Sequence, residues 1–140
     1  MSKMLLQMSS NYPLKIWLAE DDLDDAIIFS ETLKEIRPES QLEVVENGEQ
    51  LMEQLRANDT LPNFIFLDLN MPRKNGLECL KEIKTSDELK LIKVIILTTS
   101  ASRTEKQQCY DLGVEMFITK PTNYSDYKSI IYTCLNVLNK

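Results

Sequence analysis

Histidine is absent from the sequence, and cysteine and glycine are scarce. None of the 140 residues is His, which excludes Ser-His-Asp triads, Cys-His pairs, His-ligated zinc and a phosphohistidine carrier. The 3 cysteines are widely spaced among apolar residues, as is typical of reduced core thiols. Only 3 glycines occur, and none forms a glycine-rich phosphate loop. These absences remove much of common enzyme chemistry and favour a cytoplasmic protein.

Positive charge and long apolar runs are also in short supply. The 16 Lys and Arg residues against 22 Asp and Glu residues leave a net charge of −6, which repels nucleic-acid phosphates and anionic lipid surfaces. No run approaches the roughly 18 apolar residues of a membrane span. We therefore expect no nucleic-acid partner and no membrane association.

The length of 140 residues suits one compact domain. The first residues hold a single Lys, a short apolar patch and no signal-peptidase site, so residues 1–13 are predicted to be a flexible N-terminal leader. The domain itself is predicted to span residues 14–140.

Strand-like and helix-like patterns alternate along this domain. An apolar strand pattern over Leu14–Ala19 stops at an acidic run, and helical spacing follows from Leu23 until Pro38. A turn is predicted at Asn47-Gly48, and further strands are predicted over residues 42–45, 64–67, 94–97 and 114–119. Strict alternation with short loops requires a parallel sheet covered on both faces. We therefore predict a flavodoxin-like, doubly wound (βα)5 α/β sandwich of three layers with strand order 2-1-3-4-5.

Polar residues follow four of the predicted strands. Glu20 and Asp21 follow the first strand, Asp68 the third, Thr98 the fourth and Lys120 the fifth. Because the carboxyl ends of parallel strands meet at one edge, we expect these side chains to lie together. Carboxylates this close remain ionised only beside a cation, and Lys120 supplies one positive charge. The remaining oxygens suit Mg²⁺, with Asp21 and Asp68 as direct ligands.

A carboxylate at such an edge can attack a phosphoryl group, because a metal and an ammonium neutralise the charge on the transferred oxygens. Asp68 is the predicted nucleophile. The Thr98 hydroxyl can then donate to one phosphoryl oxygen while the Lys120 ammonium binds another. Phosphorylation would create new contacts that can move a loop, so the site predicts a switch as well as a reaction.

The ordered set of motifs resembles the receiver domains of bacterial two-component response regulators (the CheY-like family). The resemblance covers about residues 14 to 138. More narrowly, the motif set is similar to stand-alone receivers that partner phytochrome-type kinases. The motifs that carry it are Glu20-Asp21-Asp22, Asp68 with Met71-Pro72 and Gly76, Leu97-Thr98-Thr99, and Lys120-Pro121.

The resemblance implies a role for each matching residue. Asp68 accepts a phosphoryl group from the phosphohistidine of a sensor histidine kinase, and Thr98 and Lys120 read that group. The implied Mg²⁺ ligands are Glu20, Asp21, Asp68 and the backbone carbonyl of Asn70.

Phe117 departs from the family pattern, because many receivers carry a switching Tyr at this position. A phenyl ring can still swing inward after Thr98 moves, but it has no hydroxyl to hydrogen-bond in either state. Phe117 is therefore predicted to be a switch residue, but signalling output is expected to depend less on it than on a switching Tyr. Pro121 restricts the preceding Lys120, and the sequence leaves a cis or a trans bond open.

The expected function is that of a single-domain response regulator, because the sequence ends within a few residues of the last predicted helix. Such a protein acts through a downstream protein target, and its only catalysis is self-phosphotransfer and autodephosphorylation. Surplus apolar surface on the last helix could also pair with a second copy to form a homodimer. Asp24 and Asp25 are predicted to be the solvated start of the first helix.

Three other functions are open at this level. A small haloacid-dehalogenase-like phosphatase also uses a strand-end Asp and Mg²⁺, but it needs a second Asp where Asn70 stands and residues for a cap. A nucleotide or flavin binder needs a phosphate loop after the first strand, where acids stand instead. A non-phosphorylated receiver scaffold would be expected to lack Asp68, Thr98 or Lys120, all of which are present.

Overall fold

The computed structural model describes residues 13–99 and 101–138. Five parallel strands form one sheet in the order β2-β1-β3-β4-β5, which confirms the predicted doubly wound fold. The predicted leader falls outside the described residues except at position 13. The strands are β1 (Lys15–Ala19), β2 (Gln41–Val45), β3 (Phe64–Leu67), β4 (Lys93–Thr98) and β5 (Met116–Thr119). The helices are α1 (Leu23–Ile36), α2 (Gly48–Ala57), α3 (Gly76–Thr85), α4 (Arg103–Asp111) and α5 (Tyr124–Leu138).

The inner strands β1, β3 and β4 are apolar on both faces because helices cover the sheet on both sides. Alternate residues of β1 serve opposite cores: Trp17 packs with α2, α3 and α4, whereas Leu18 packs with α1 and α5. The three cysteines lie buried in these cores as free thiols, as predicted. Among the described helices, none has the length and apolarity that crossing a bilayer requires.

Polar residues cap the N-termini of four helices. The Asp22, Asn47, Asn75 and Ser102 side chains each accept a hydrogen bond from a backbone N–H in the first turn of the following helix. The predicted turn at Asn47-Gly48 is therefore wrong in detail, because Asn47 caps α2 and Gly48 is its first residue.

The structure corrects the predicted start of β5 and decides between a cis and a trans Lys120–Pro121 bond. Strand β5 begins at Met116 and not at Val114, because the Val114 N–H still closes helix α4 on the Cys109 carbonyl, at 3.2 Å. The next N–H, that of Glu115, is the first to bond β4, at the Val94 carbonyl. The Lys120–Pro121 bond is trans, as are all peptide bonds in the described part of the chain.

Helix α3 approaches the end of β3 so closely that only glycine fits. The Gly76 N–H donates to the Leu69 carbonyl at 3.0 Å. A Cβ on Gly76 would lie 2.7 Å from the Leu69 Cα and closer still to the Asp68 carbonyl oxygen. Both obstacles are backbone atoms, so relief requires α3 or the Asp68 loop to move.

Replacing Gly76 by Ala should therefore destabilise the protein by about 2 kcal/mol or more, as overpacking against a fixed backbone does. Gly113→Ala is the control, because a Cβ there meets nothing within 4 Å and only the φ of 96° is unfavourable. That variant should lose about 1 kcal/mol. Urea unfolding of both variants measures the difference, and equal losses would contradict the steric argument.

Candidate functional site

Four strand ends deliver the predicted polar residues to one edge of the sheet. Glu20 follows β1, Asp68 follows β3, Thr98 ends β4 and Lys120 follows β5. Backbone hydrogen bonds extend the ladder to these positions, from the Asp68 N–H to the Ala19 carbonyl at 3.1 Å and from the Lys120 N–H to the Thr98 carbonyl at 2.7 Å. The parallel sheet thus brings together side chains up to 100 residues apart in sequence.

The Lys120 ammonium lies at the centre of this edge. Its Nζ contacts Glu20 Oε1, Asp25 Oδ2 at 2.8 Å and Asp68 Oδ2 at 3.1 Å. The Lys120 side chain is only 5% exposed, so water does little to screen these contacts. An ammonium has three protons, and these three carboxylates use all of them.

The Asp68 carboxylate is held from both sides. While Oδ2 accepts from Lys120, Oδ1 accepts from the Thr98 hydroxyl at 2.9 Å and from the Asn70 N–H at 3.0 Å. The Asn70 side-chain amide donates in turn to the Thr98 hydroxyl at 3.2 Å. The buried carboxylate therefore has a fixed orientation.

Burial and neighbouring charges have opposing effects on the pKa of Glu20 and on that of Lys120. Burial raises the pKa of Glu20 to about 7, although the hydrogen bond and charge of Lys120 oppose the shift. Burial by itself lowers the pKa of Lys120, but the hydrogen bonds to Asp25 and Glu20 outweigh it and leave that pKa above its ordinary value. Lys120 is therefore the group that keeps its charge throughout the physiological range.

Three carboxylates form a group that fits a divalent cation. One oxygen each from Glu20, Asp21 and Asp68 lies within 4.8 Å of the other two. Asp21 is exposed whereas the other two are buried, so the group opens to solvent on one side. Carboxylate oxygens with room for water are the surroundings that Mg²⁺ prefers.

The sequence prediction was wrong about Asp25, which was assigned to the solvated start of α1. Its side chain is 28% exposed and forms an ion pair with Lys120. The missed signal is spacing: Asp25 lies four residues before the buried Phe29 and seven before the buried Thr32, so it shares the helix face that turns to the sheet. Asp24 is exposed, as predicted.

Two aromatic residues lie on β5 and α5, the elements before and after Lys120. The predicted switch residue Phe117 is half-buried on β5, with its ring centroid 6.5 Å from that of Tyr110 and 5.6 Å from the Lys106 ammonium. Tyr127 of α5 is buried in the core, as its helical spacing indicates. Its hydroxyl has no hydrogen-bond partner among the described residues, and burial raises its pKa.

A doubly wound five-stranded sheet with an acidic group, a strand-end Asp, a Thr and a Lys at one edge defines a receiver of two-component signalling. A profile of the response regulator receiver domain matches residues 16–132. The chain belongs to this family, which confirms the sequence prediction of a two-component response regulator.

Comparisons with individual proteins support the resemblance to phytochrome response regulators. Response regulator Rcp1 of Synechocystis is 38% identical over 122 residues, which cover 84% of this chain and 83% of that protein. The phosphorylated cyanobacterial phytochrome response regulator RcpA superposes with a TM-score of 0.86 at 35% identity, over 91% of this chain and 94% of that chain. The Mn²⁺-bound form of Rcp1 gives a TM-score of 0.83 at 33% identity, over 89% of this chain and 93% of that chain.

The raised pKa of Glu20 predicts a pH-dependent stability in metal-free protein. A folded-state pKa of about 7 against an ordinary 4.5 means that Glu20 binds its proton more tightly in the folded state. Its contribution is fully present below pH 4.5 and is lost as the pH rises towards 7. Between pH 5 and 8, wild type should lose about 2 kcal/mol of unfolding free energy relative to Glu20→Gln.

Urea unfolding of both proteins in EDTA at the two pH values measures this difference. Other titrating groups cancel in the comparison, because the two proteins share them. A difference that stays constant with pH would show that Glu20 remains ionised throughout.

Proposed function

We propose that Asp68 accepts a phosphoryl group from the phosphohistidine of a sensor histidine kinase in a Mg²⁺-dependent reaction. One observation carries the proposal: the Asp68 carboxylate contacts both Lys120 and Thr98 and lies within 4.8 Å of ligand oxygens of Glu20 and Asp21. The site thus combines a nucleophile with two groups that can bind phosphoryl oxygens and with a group of oxygens that can bind a cation.

The residues that would hold the metal are Glu20, Asp21, Asp68 and the backbone carbonyl of Asn70. Bound Mg²⁺ would neutralise negative charge on the phosphoryl oxygens during transfer. The Mn²⁺-bound form of Rcp1 supports a divalent-cation site in this chain as well. The Thr98, Lys120 and Asn70 contacts hold the Asp68 carboxylate in one orientation, which lowers the entropy lost on reaching the transition state.

In the transfer, an Asp68 carboxylate oxygen forms a bond to phosphorus as the phosphorus–nitrogen bond of the phosphohistidine breaks. The histidine nitrogen keeps the electron pair and takes a proton from solvent. Lys120 passes its hydrogen bond from Asp68 to a phosphoryl oxygen, and the Thr98 hydroxyl does the same from the opposite side. In autodephosphorylation a water oxygen bonds to phosphorus as the bond between phosphorus and the Asp68 oxygen breaks. The Asp68 oxygen keeps the electron pair and is a carboxylate again, and the protons of the water pass to the released phosphate and to solvent.

The switch follows from the movement of Thr98. When its hydroxyl turns from Asp68 to the phosphoryl group, the loop after β4 moves with it and frees space near Phe117. The half-buried phenyl ring can then turn inward, away from Tyr110. This movement changes the α4 and β5 surface that a downstream protein target would contact.

The similarity to RcpA, a cyanobacterial phytochrome response regulator, supports a phytochrome-type kinase as the phosphoryl donor. Such a kinase draws its phosphate from ATP, so the receiver would work in the cytoplasm. The exposed Tyr132 and Val137 of α5 offer apolar surface for a homodimer.

Acetyl phosphate tests the acceptor directly. Wild type with Mg²⁺ should gain one phosphoryl group by intact mass and a shifted band in a Phos-tag gel. Asp68→Asn should gain none, because an amide oxygen is a far weaker nucleophile than a carboxylate. Omitting Mg²⁺ should slow the wild-type reaction by at least about tenfold, since an unneutralised site repels the phosphoryl donor.

Asp59→Asn is the matched control, because it removes the same charge from an exposed residue away from the site. It should be phosphorylated like wild type. An adduct that persists in Asp68→Asn would identify another acceptor and contradict the proposal. Sustained turnover of p-nitrophenyl phosphate would instead indicate a phosphatase.

A further inference from the structure

The ion pair between Lys120 and Asp25 has no part in the chemistry proposed above. Asp25 Oδ2 lies 2.8 Å from Lys120 Nζ, nearer than the 3.1 Å contact with Asp68 Oδ2. Asp25 belongs to α1, whereas Lys120 precedes α5. The pair therefore ties the lysine to an element that contributes neither the proposed acceptor nor the proposed metal ligands.

Helix capping does not explain the Asp25 side chain. The cap of α1 is Asp22, whose Oδ1 accepts the Asp25 N–H at 3.0 Å. That bond uses the Asp25 backbone and leaves its carboxylate available for Lys120. The acid immediately before it, Asp24, is exposed and makes no hydrogen bond or ion pair with any described residue.

The other two partners of Lys120 change during the proposed reaction. Glu20 and Asp68 both belong to the carboxylate group that fits a divalent cation, and Asp68 is also the proposed phosphoryl acceptor. Their oxygens must be shared with these new partners. Asp25 lies outside that group, so its contact with Lys120 is the one that the reaction leaves intact.

We propose that Asp25 is a positioning residue that holds the Lys120 ammonium against the phosphoryl group while Glu20 and Asp68 exchange partners. This inference rests on the proposed function of Asp68. With one proton directed to Asp25, the ammonium cannot turn away from the acceptor, and its remaining protons face Glu20 and the incoming phosphoryl oxygen. Phosphorylation thus depends on a carboxylate that touches neither the phosphoryl group nor the metal.

A positioning role and a purely electrostatic role of Asp25 predict opposite effects on the rate of phosphorylation. If Asp25 only added negative charge, its removal would reduce repulsion of the phosphoryl donor and speed the reaction. If it positions Lys120, its removal must slow the reaction although the site becomes less negative. Asp24→Asn removes the same charge from the adjacent residue of the same helical turn and is the matched control.

The experiment measures the initial rate of phosphorylation by acetyl phosphate, by intact mass, at saturating Mg²⁺. Asp25→Asn should react about fivefold more slowly than wild type, because a neutral amide oxygen holds an ammonium less firmly than a carboxylate does. Asp24→Asn should stay within about twofold of wild type. Asp25→Glu, which keeps the charge, should recover most of the lost rate.

Calorimetric titration with Mg²⁺ separates positioning from a damaged site. Asp25→Asn should bind Mg²⁺ with the affinity of wild type, and its thermal unfolding should stay cooperative. A rate for Asp25→Asn that equals or exceeds that of Asp24→Asn would overturn the inference. A slower rate accompanied by weaker Mg²⁺ binding, or one that Asp25→Glu does not restore, would overturn it too.

These outcomes are distinct from failure of the proposed function. If wild type gains no phosphoryl group, or Asp68→Asn still gains one, the acceptor assignment fails and the inference fails with it. If wild type is phosphorylated at Asp68 while Asp25→Asn behaves like Asp24→Asn, only the positioning role fails.

Discussion

The structure depends on one buried ammonium that balances several carboxylates at the edge of a sheet. Lys120 is almost fully removed from water, which is costly for a charge unless all its protons are bonded. Its three partners come from the end of β1, from α1 and from the end of β3. Without this cation the carboxylates would repel one another across this edge of the sheet.

The fold makes this balance rigid. Strands β1 and β3 are adjacent in the sheet, so Glu20 and Asp68 emerge side by side from strand ends that are buried. On the far side of Asp68, helix α3 packs so tightly at Gly76 that a single methyl group would meet backbone. Close packing on both sides leaves the charged groups little freedom to separate, and the repulsion among them is retained in the folded state.

The two oxygens of Asp68 connect the site to different parts of the molecule. Oδ2 contacts the lysine that leads into α5, and Oδ1 contacts Thr98 at the end of β4. A change at the Asp68 carboxylate therefore affects both the segment that joins β5 to α5 and the segment that follows β4. Phe117 lies beyond them on β5, half-buried beside Tyr110.

Most of the fold and much of the site could be predicted from the order of residues along the chain. Alternating strand and helix patterns determine a parallel sheet, and parallel strands necessarily collect their carboxyl ends on one edge, so Glu20, Asp68, Thr98 and Lys120 were predicted together. Tertiary structure alone decided that Asp25 joins them. Helical spacing shows which face Asp25 lies on, but only the packing of α1 beside α5 places that face within 2.8 Å of the Lys120 ammonium.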